Sequence, residues 1–177
     1  MLIVRPATLN ERDVLQDLIA RSARGLSTRD YRAEQVEGAL QGAFGVDTQL
    51  IRDGTYFVVE ESDVIVGCGG WSFRRTLFGG DQRRERDAAE LDPRTEPAKI
   101  RAFFVDPAHA RRGIGTMLLE KCEAEARRRG FSRVELMSTL PGIRLYSARG
   151  YSGLQQVQYE VAPGVAIELL PMNKPLI

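Results

Sequence analysis

Six consecutive residues, Ala110-Arg111-Arg112-Gly113-Ile114-Gly115, combine two guanidinium groups with a spaced pair of glycines. Glycine lets a ligand approach the main chain closely and adopts φ angles that other residues avoid. The chemistry these types and spacing suit is the holding of a phosphate. Free backbone N–H groups at the start of a helix point at the anion, and the positive helix end and both arginines favour it. Two elements must position such a turn. Ile100 to Val105 (IRAFFV) has the length and residue types of a buried strand. Thr116 to Cys122 opens an amphipathic helix with the apolar stripe Ile114, Leu118, Leu119, Cys122 and Ala126.

Other chemistries lack their residues. The chain has no G-x-S-x-G elbow, no cysteines paired at zinc spacing and no histidine cluster. No Gly-Lys-Ser/Thr follows the turn, so it is not a Walker loop. A dinucleotide site would want three spaced glycines after the first strand of a βαβ unit, whereas this turn comes late and has two. No metal site is expected. Lysine and arginine total 25 against 24 acids, a net charge of +1, which argues against binding nucleic acid through a basic surface. Cys68 and Cys122 are too few for a disulfide framework. With no membrane-spanning run and no signal-like opening, a single domain in the cytoplasm is expected.

The surrounding elements follow from periodicity and punctuation. Leu2 to Arg5 reads as a strand stopped by Pro6, and Val14, Leu15, Leu18 and Ile19 mark a first helix. Ser27 or Thr28 starts a second helix carrying Tyr31, Val36 and Leu40. Thr55–Glu60 and Val64–Phe73 form a hairpin across Glu61-Ser62-Asp63. A charged connection runs from Arg74 to Glu96. The helix after the turn reaches Arg127-Arg128-Arg129 and ends at Gly130, as the helix dipole and glycine capping favour. Val134 to Met137 is a strand, Pro141 opens a short helix through Tyr146, and Leu154–Val161 and Val165–Leu170 are the last strands. The order βααβββαβαββ gives an α/β (α+β) fold: a mixed, mostly antiparallel sheet of about seven strands with helices on both faces.

In that order four segments resemble the GNAT N-acetyltransferase superfamily: Ile3-Val4-Arg5-Pro6-Ala7, Phe103-Phe104-Val105-Asp106-Pro107, the turn Arg111 to Thr116, and Leu145-Tyr146-Ser147-Ala148-Arg149-Gly150-Tyr151. Two positions depart from the family pattern. Its usual Arg or Gln at the head of the turn is Ala110, and an Asn seven residues before the tyrosine is Thr139. The first loss is tolerable because backbone N–H groups hold most of a pyrophosphate.

The resemblance implies an acetyl-CoA-dependent acyltransferase acting on a primary amine. Arg111, Arg112, Gly113, Ile114, Gly115 and Thr116 would hold the pyrophosphate. Phe103, Phe104 and Val105 would line the pantetheine arm and offer a backbone N–H to the thioester oxygen, worth about 3–4 kcal/mol in comparable sites. Tyr146 would protonate the departing thiolate. A non-catalytic acyl-CoA sensor of the same fold is the alternative. His109, Glu135 and Asp106 are weak candidates for a base, and water can serve instead. Trp71 and Phe73 are candidates for an acceptor pocket, which the 74–97 connection and the N-terminal helices would shape. The acceptor is a small-molecule or peptide amine, and the last strands offer a surface for a homodimer.

Overall fold

The computed structural model describes residues 1–177. One eight-stranded sheet carries the architecture, in the order β1-β2-β3-β4-β5-β8-β6, with β7 also paired to β8. The strands are β1 (Leu2–Pro6), β2 (Tyr56–Glu61), β3 (Val64–Ser72), β4 (Ala98–Val105), β5 (Arg133–Thr139), β6 (Ser152–Gly153), β7 (Val157–Ala162) and β8 (Val165–Pro175). The helices are α1 (Arg12–Leu26), α2 (Ala33–Ala39), α3 (Thr48–Arg52), α4 (Ile114–Arg128) and α5 (Ile143–Ala148). Every pairing is antiparallel except β4 with β5.

The sheet separates two apolar clusters. On one face α4 buries Leu118, Leu119, Cys122 and Ala126 against Phe57, Val59, Ile100 and Val134. On the other, α1 buries Leu15, Leu18 and Ile19 with Val58, Cys68, Ile167 and Leu169. Alternating Val58 and Val59 therefore serve opposite faces, as a strand covered on both sides requires.

Three details differ from the sequence reading. The second helix starts at Ala33, because Ser27 closes a turn by accepting from the N–H groups of Asp30 and Tyr31. The short helix α3 has no counterpart in the sequence reading; Asp47 caps it by accepting from Gln49 N at 3.0 Å. Strand β8 runs past Leu170 to Pro175. Pro171 is accommodated because β7 pairs only as far as Leu169 and β6 begins at Met172, so the proline falls between them.

The feature that positions a site is the junction of β4 and β5. They pair only at Ala98↔Val134 and Lys99↔Glu135, and then diverge. Beyond that point β4 carries a bulge. Its register with β3 shifts between Cys68↔Phe104 and Gly70↔Arg101, and Ala102 takes φ +55°. Opposite the bulge is Gly69, where an added Cβ would lie 2.5 Å from the Phe103 ring. Only a glycine there admits that ring.

Candidate active site

Divergence of β4 from β5 opens a cavity of about 580 Å³ that passes between the strands from the α4 side to the α1 side. Its α4 end is the basic glycine turn. Arg111 and Gly113 are both left-handed, at φ +66° and +83°. Met117 N is the first N–H of this region to return to the main chain, donating to Gly113 O at 3.0 Å. The N–H groups from Arg111 to Thr116 find no acceptor in the protein. Six successive donors at a helix start make a concave anion cradle. A Cβ at Gly113 would meet no protein atom within 4 Å, so it would stand in open space at the cradle.

The charges that line the cavity are positive. Arg111 and Arg144 are the charged residues lining the cavity, and neither has an ion-pair partner. Arg112 is different. Its guanidinium makes a bidentate pair with Glu61 at 2.7 and 2.8 Å, holding the Glu61 carboxyl down at about 2. Arg112 can therefore offer a bound anion its N–H, with its side chain turned to β2. Gly115 lets α4 pack on α5, since a Cβ there would lie 2.8 Å from Leu145 Cδ2. Thr116 lines the cavity, and Ile114 lines it while its side chain anchors α4 in the core.

The middle of the cavity is formed by Phe103, Phe104 and Val105 of β4, with Leu136 and Met137 of β5. Val105 N–H points into the gap, where it donates to Ser22 Oγ of α1 at 3.2 Å. Strand alternation directs the N–H of Phe103 to the same open edge. Tyr146 of α5 lies beside it, its ring centroid 6.2 Å from that of Phe103 and 5.6 Å from that of Tyr151. Tyr146 lines the cavity, and its phenol makes no hydrogen bond to another residue. Burial pushes it well above its ordinary value, so the proton stays in place.

The turn, the bulged strand and Tyr146 thus share one cavity, although they lie far apart in the chain. Other sequence candidates do not reach it. Trp71 packs edge-on against Phe73 and Phe131 beneath α4, and its Nε1 donates to Glu125 at 3.1 Å. Phe73 is stacked under Arg129 at 3.7 Å. Both aromatics are core residues, buried in the cluster that α4 covers. Glu135 contacts Lys99 at the closed end of the β4–β5 pair. Asp106 accepts from Ala108 N at 3.0 Å, and His109 sits 3.4 Å from Glu61.

Residues that the sequence did not mark as site candidates close the α1 end: Ser22, Leu26 and Ser27, with Phe44 and Phe78. Ser22 alone carried a local signal, a polar residue on the buried stripe of Leu15, Leu18 and Ile19. Gly79, also lining this end, is held by Arg101, whose Nη2 donates to Gly79 O at 2.8 Å and to Asp47 at 2.9 Å. Burial lowers the Arg101 guanidinium from its ordinary value, against the pull of Asp47.

Residues 20–151 match the Acetyltransferase (GNAT) family. The chain belongs to this family of acyltransferases. Solved structures of similar fold agree along the whole length. A GCN5-related N-acetyltransferase from Rhodopseudomonas palustris is 18% identical, with TM-score 0.72, covering 98% of this chain and 95% of that one. The PaiA N-acetyltransferase from Thermoplasma acidophilum, solved in complex with coenzyme A, is 12% identical, with TM-score 0.65 and 99% of each chain covered. The ribosomal-protein-S18-alanine N-acetyltransferase from Escherichia coli is 14% identical, with TM-score 0.63, covering 99% and 94%. Comparison with curated protein sequences found no match. No helix is long and apolar enough to cross a membrane.

Proposed function

We propose that this GNAT acetyltransferase moves an acetyl group from acetyl-CoA to a primary amine, with Tyr146 as the proton donor. The observation that carries this reading is the single cavity joining the α4 cradle, the open edge of β4 and the Tyr146 phenol. The residues fit coenzyme A. Six free N–H groups with Arg111 and Arg144 suit the phosphates, and the apolar gap between β4 and β5 suits an extended, amide-bearing arm that pairs with a strand edge.

When bound, acetyl-CoA supplies an activated acyl group as a thioester. The chain's own residues then do three things. The Phe103 N–H on the open edge of β4 donates to the carbonyl oxygen as negative charge gathers there, and it is held rigid by the bulge at Ala102. The packed walls orient a neutral amine towards the carbonyl carbon, so that the new C–N bond forms as the C–S bond breaks. Tyr146 holds its proton at Oη beside Phe103 and delivers it to the leaving sulfur. The amine proton leaves to water, since no carboxylate or imidazole lines the cavity, and water returns a proton to the Tyr146 phenolate.

Calorimetric titration with acetyl-CoA, followed by a CoA-thiol release assay over a panel of amines, tests this. Saturable binding and amine-dependent release are expected. Binding without release from any amine would replace the enzyme reading with that of an acyl-CoA sensor.

A further inference from the structure

The half of the cavity on the α1 side of the sheet has a composition of its own. Its walls are Ala23, Leu26, Ala43, Phe44, Phe78 and Leu169, and its polar side chains are the uncharged hydroxyls of Ser22, Ser27 and Thr139. No aspartate, glutamate or histidine faces the cavity anywhere along its length. Asp47, a buried carboxylate on the neighbouring structure, is already shared by Arg101 at 2.9 Å and Arg86 at 2.7 Å. The side chains lining this end are therefore uncharged, with no carboxylate among them to compensate a cation.

These walls are preformed. Phe44 packs edge-on against Phe104 of β4 with centroids 5.9 Å apart. Phe78 is fixed from behind: the Arg83 guanidinium lies 3.8 Å from its ring centroid, Arg83 Nη1 donates to Phe78 O at 2.9 Å, and the Tyr159 ring stands edge-on 5.0 Å away. The connection bearing Phe78 is tied to the 42–48 segment by Gly80 N donating to Gly42 O and Asp81 N donating to Val46 O, both at 2.8 Å. An acceptor enters this room without first having to order it.

We propose that the acceptor is a small primary amine carried on a compact apolar group, aryl or branched alkyl, with no second positive charge. The proposal rests on the acetyltransferase reading above and deepens it. Two aromatic rings and four aliphatic side chains reward apolar surface, as in most small-ligand sites. A diamine or polyamine would carry a second ammonium into a site that offers it no counter-ion, and a buried unpaired charge is strongly disfavoured. The reacting nitrogen itself is neutral in the productive complex, so it makes no such demand.

The test measures kcat/KM by CoA-thiol release at saturating acetyl-CoA for 2-phenylethylamine, 3-methylbutylamine, putrescine and spermidine. The wild type is expected to favour the first two by about 30- to 100-fold, the discrimination that one uncompensated buried group supplies. Phe78→Ala is expected to lower kcat/KM for 2-phenylethylamine about tenfold without moving the acetyl-CoA Kd, as loss of one aromatic wall implies. Leu26 is 38% exposed and tolerates a polar replacement. Leu26→Glu is expected to raise activity towards putrescine and lower it towards 2-phenylethylamine. Equal or greater wild-type activity with the diamines, no activity with the apolar amines, or a preference that Leu26→Glu leaves unmoved overturns the acceptor assignment. Failure of the wild type to bind acetyl-CoA in a calorimetric titration overturns the donor reading instead.

Discussion

Tyr56 Oη donates a 2.8 Å hydrogen bond to the carbonyl oxygen of Ala102, the β4 residue that sits at φ +55°. A non-glycine residue held in this region costs about 1–3 kcal/mol unless its surroundings fix it. Tyr56 is 1% exposed and is well placed to do so. The bulge it steadies lays the Phe103 ring over Gly69 and sets which N–H groups of β4 face the gap. Tyr56 is thus a positioning residue. Tyr56→Phe is expected to lower stability by about 1–2 kcal/mol, the value of one buried hydrogen bond. The same variant should lower kcat about tenfold while KM for acetyl-CoA holds within about twofold, because the proposed oxyanion donor is displaced and the proposed phosphate cradle is untouched. Urea unfolding and steady-state kinetics check the two effects separately.

Tyr146 supplies the second expectation. Tyr146→Phe keeps the ring against Phe103 and Tyr151 and removes only the proton, so kcat should fall about a hundredfold with acetyl-CoA affinity nearly intact. Wild-type turnover in this variant would dismiss the assignment. The pH profile carries the same argument. The competent phenol is the neutral form, and burial raises its pKa above the ordinary value of 10. Its deprotonation, and the loss of activity that follows, therefore lies above pH 10. The rate should rise with pH as the amine loses its proton and show no falling limb below pH 10.

Gly113 and Arg112 are neighbours with opposite expectations. Gly113→Ala places a Cβ in the open space of the cradle at φ +83°, costing about 1 kcal/mol of stability from the left-handed backbone. Acetyl-CoA affinity should fall more than about tenfold, because the Cβ obstructs the approach of the anion to the N–H groups. Arg112→Ala should change that affinity by less than about threefold, since its guanidinium already lies on Glu61 and an exposed pair contributes little. Titration calorimetry of both variants against acetyl-CoA decides the matter, and a large loss in Arg112→Ala would show that the side chain swings to the phosphates.

Local pattern made part of this molecule legible. The hairpin of β2 and β3, the α4 stripe from Ile114 to Ala126 and the turn before it are short-range signals of period and punctuation, and the structure places them as read. The Tyr146 segment was found through its resemblance to a family. What stayed hidden depends on long-range contacts. Nothing near Ala102 in sequence requires a left-handed alanine; the requirement comes from Tyr56, 46 residues away. Phe44 and Phe78 sit in irregular chain with no periodicity, and they meet only because the 74–97 connection folds back on the 42–48 segment. Trp71 and Phe73 suit either a pocket or the core by residue type. Burial beneath α4 makes them core, and the spacing of the two aromatics does not separate that role from the other.

The tie that brings Phe78 to the site also has a measurable weak point. Arg101 and Asp47 are 2% and 1% exposed, and Arg86 donates to the second oxygen of Asp47 at 2.7 Å. Arg101 Nε is already without a partner. Asp47→Asn would leave two guanidinium groups facing a neutral amide, and removing one member of a buried pair typically costs about 3–5 kcal/mol. The loss should appear as a lower urea midpoint with an unchanged slope. Arg86 and Arg101 also hold the carbonyls of Gly80 and Gly79, so the wall bearing Phe78 should loosen before the sheet does. In the folded fraction of Asp47→Asn the amine KM should therefore rise several-fold while the acetyl-CoA Kd stays fixed, because the α4 cradle lies at the other end of the cavity. A matched loss of both affinities would mean that the cluster supports the whole fold and has no particular hold on the acceptor end.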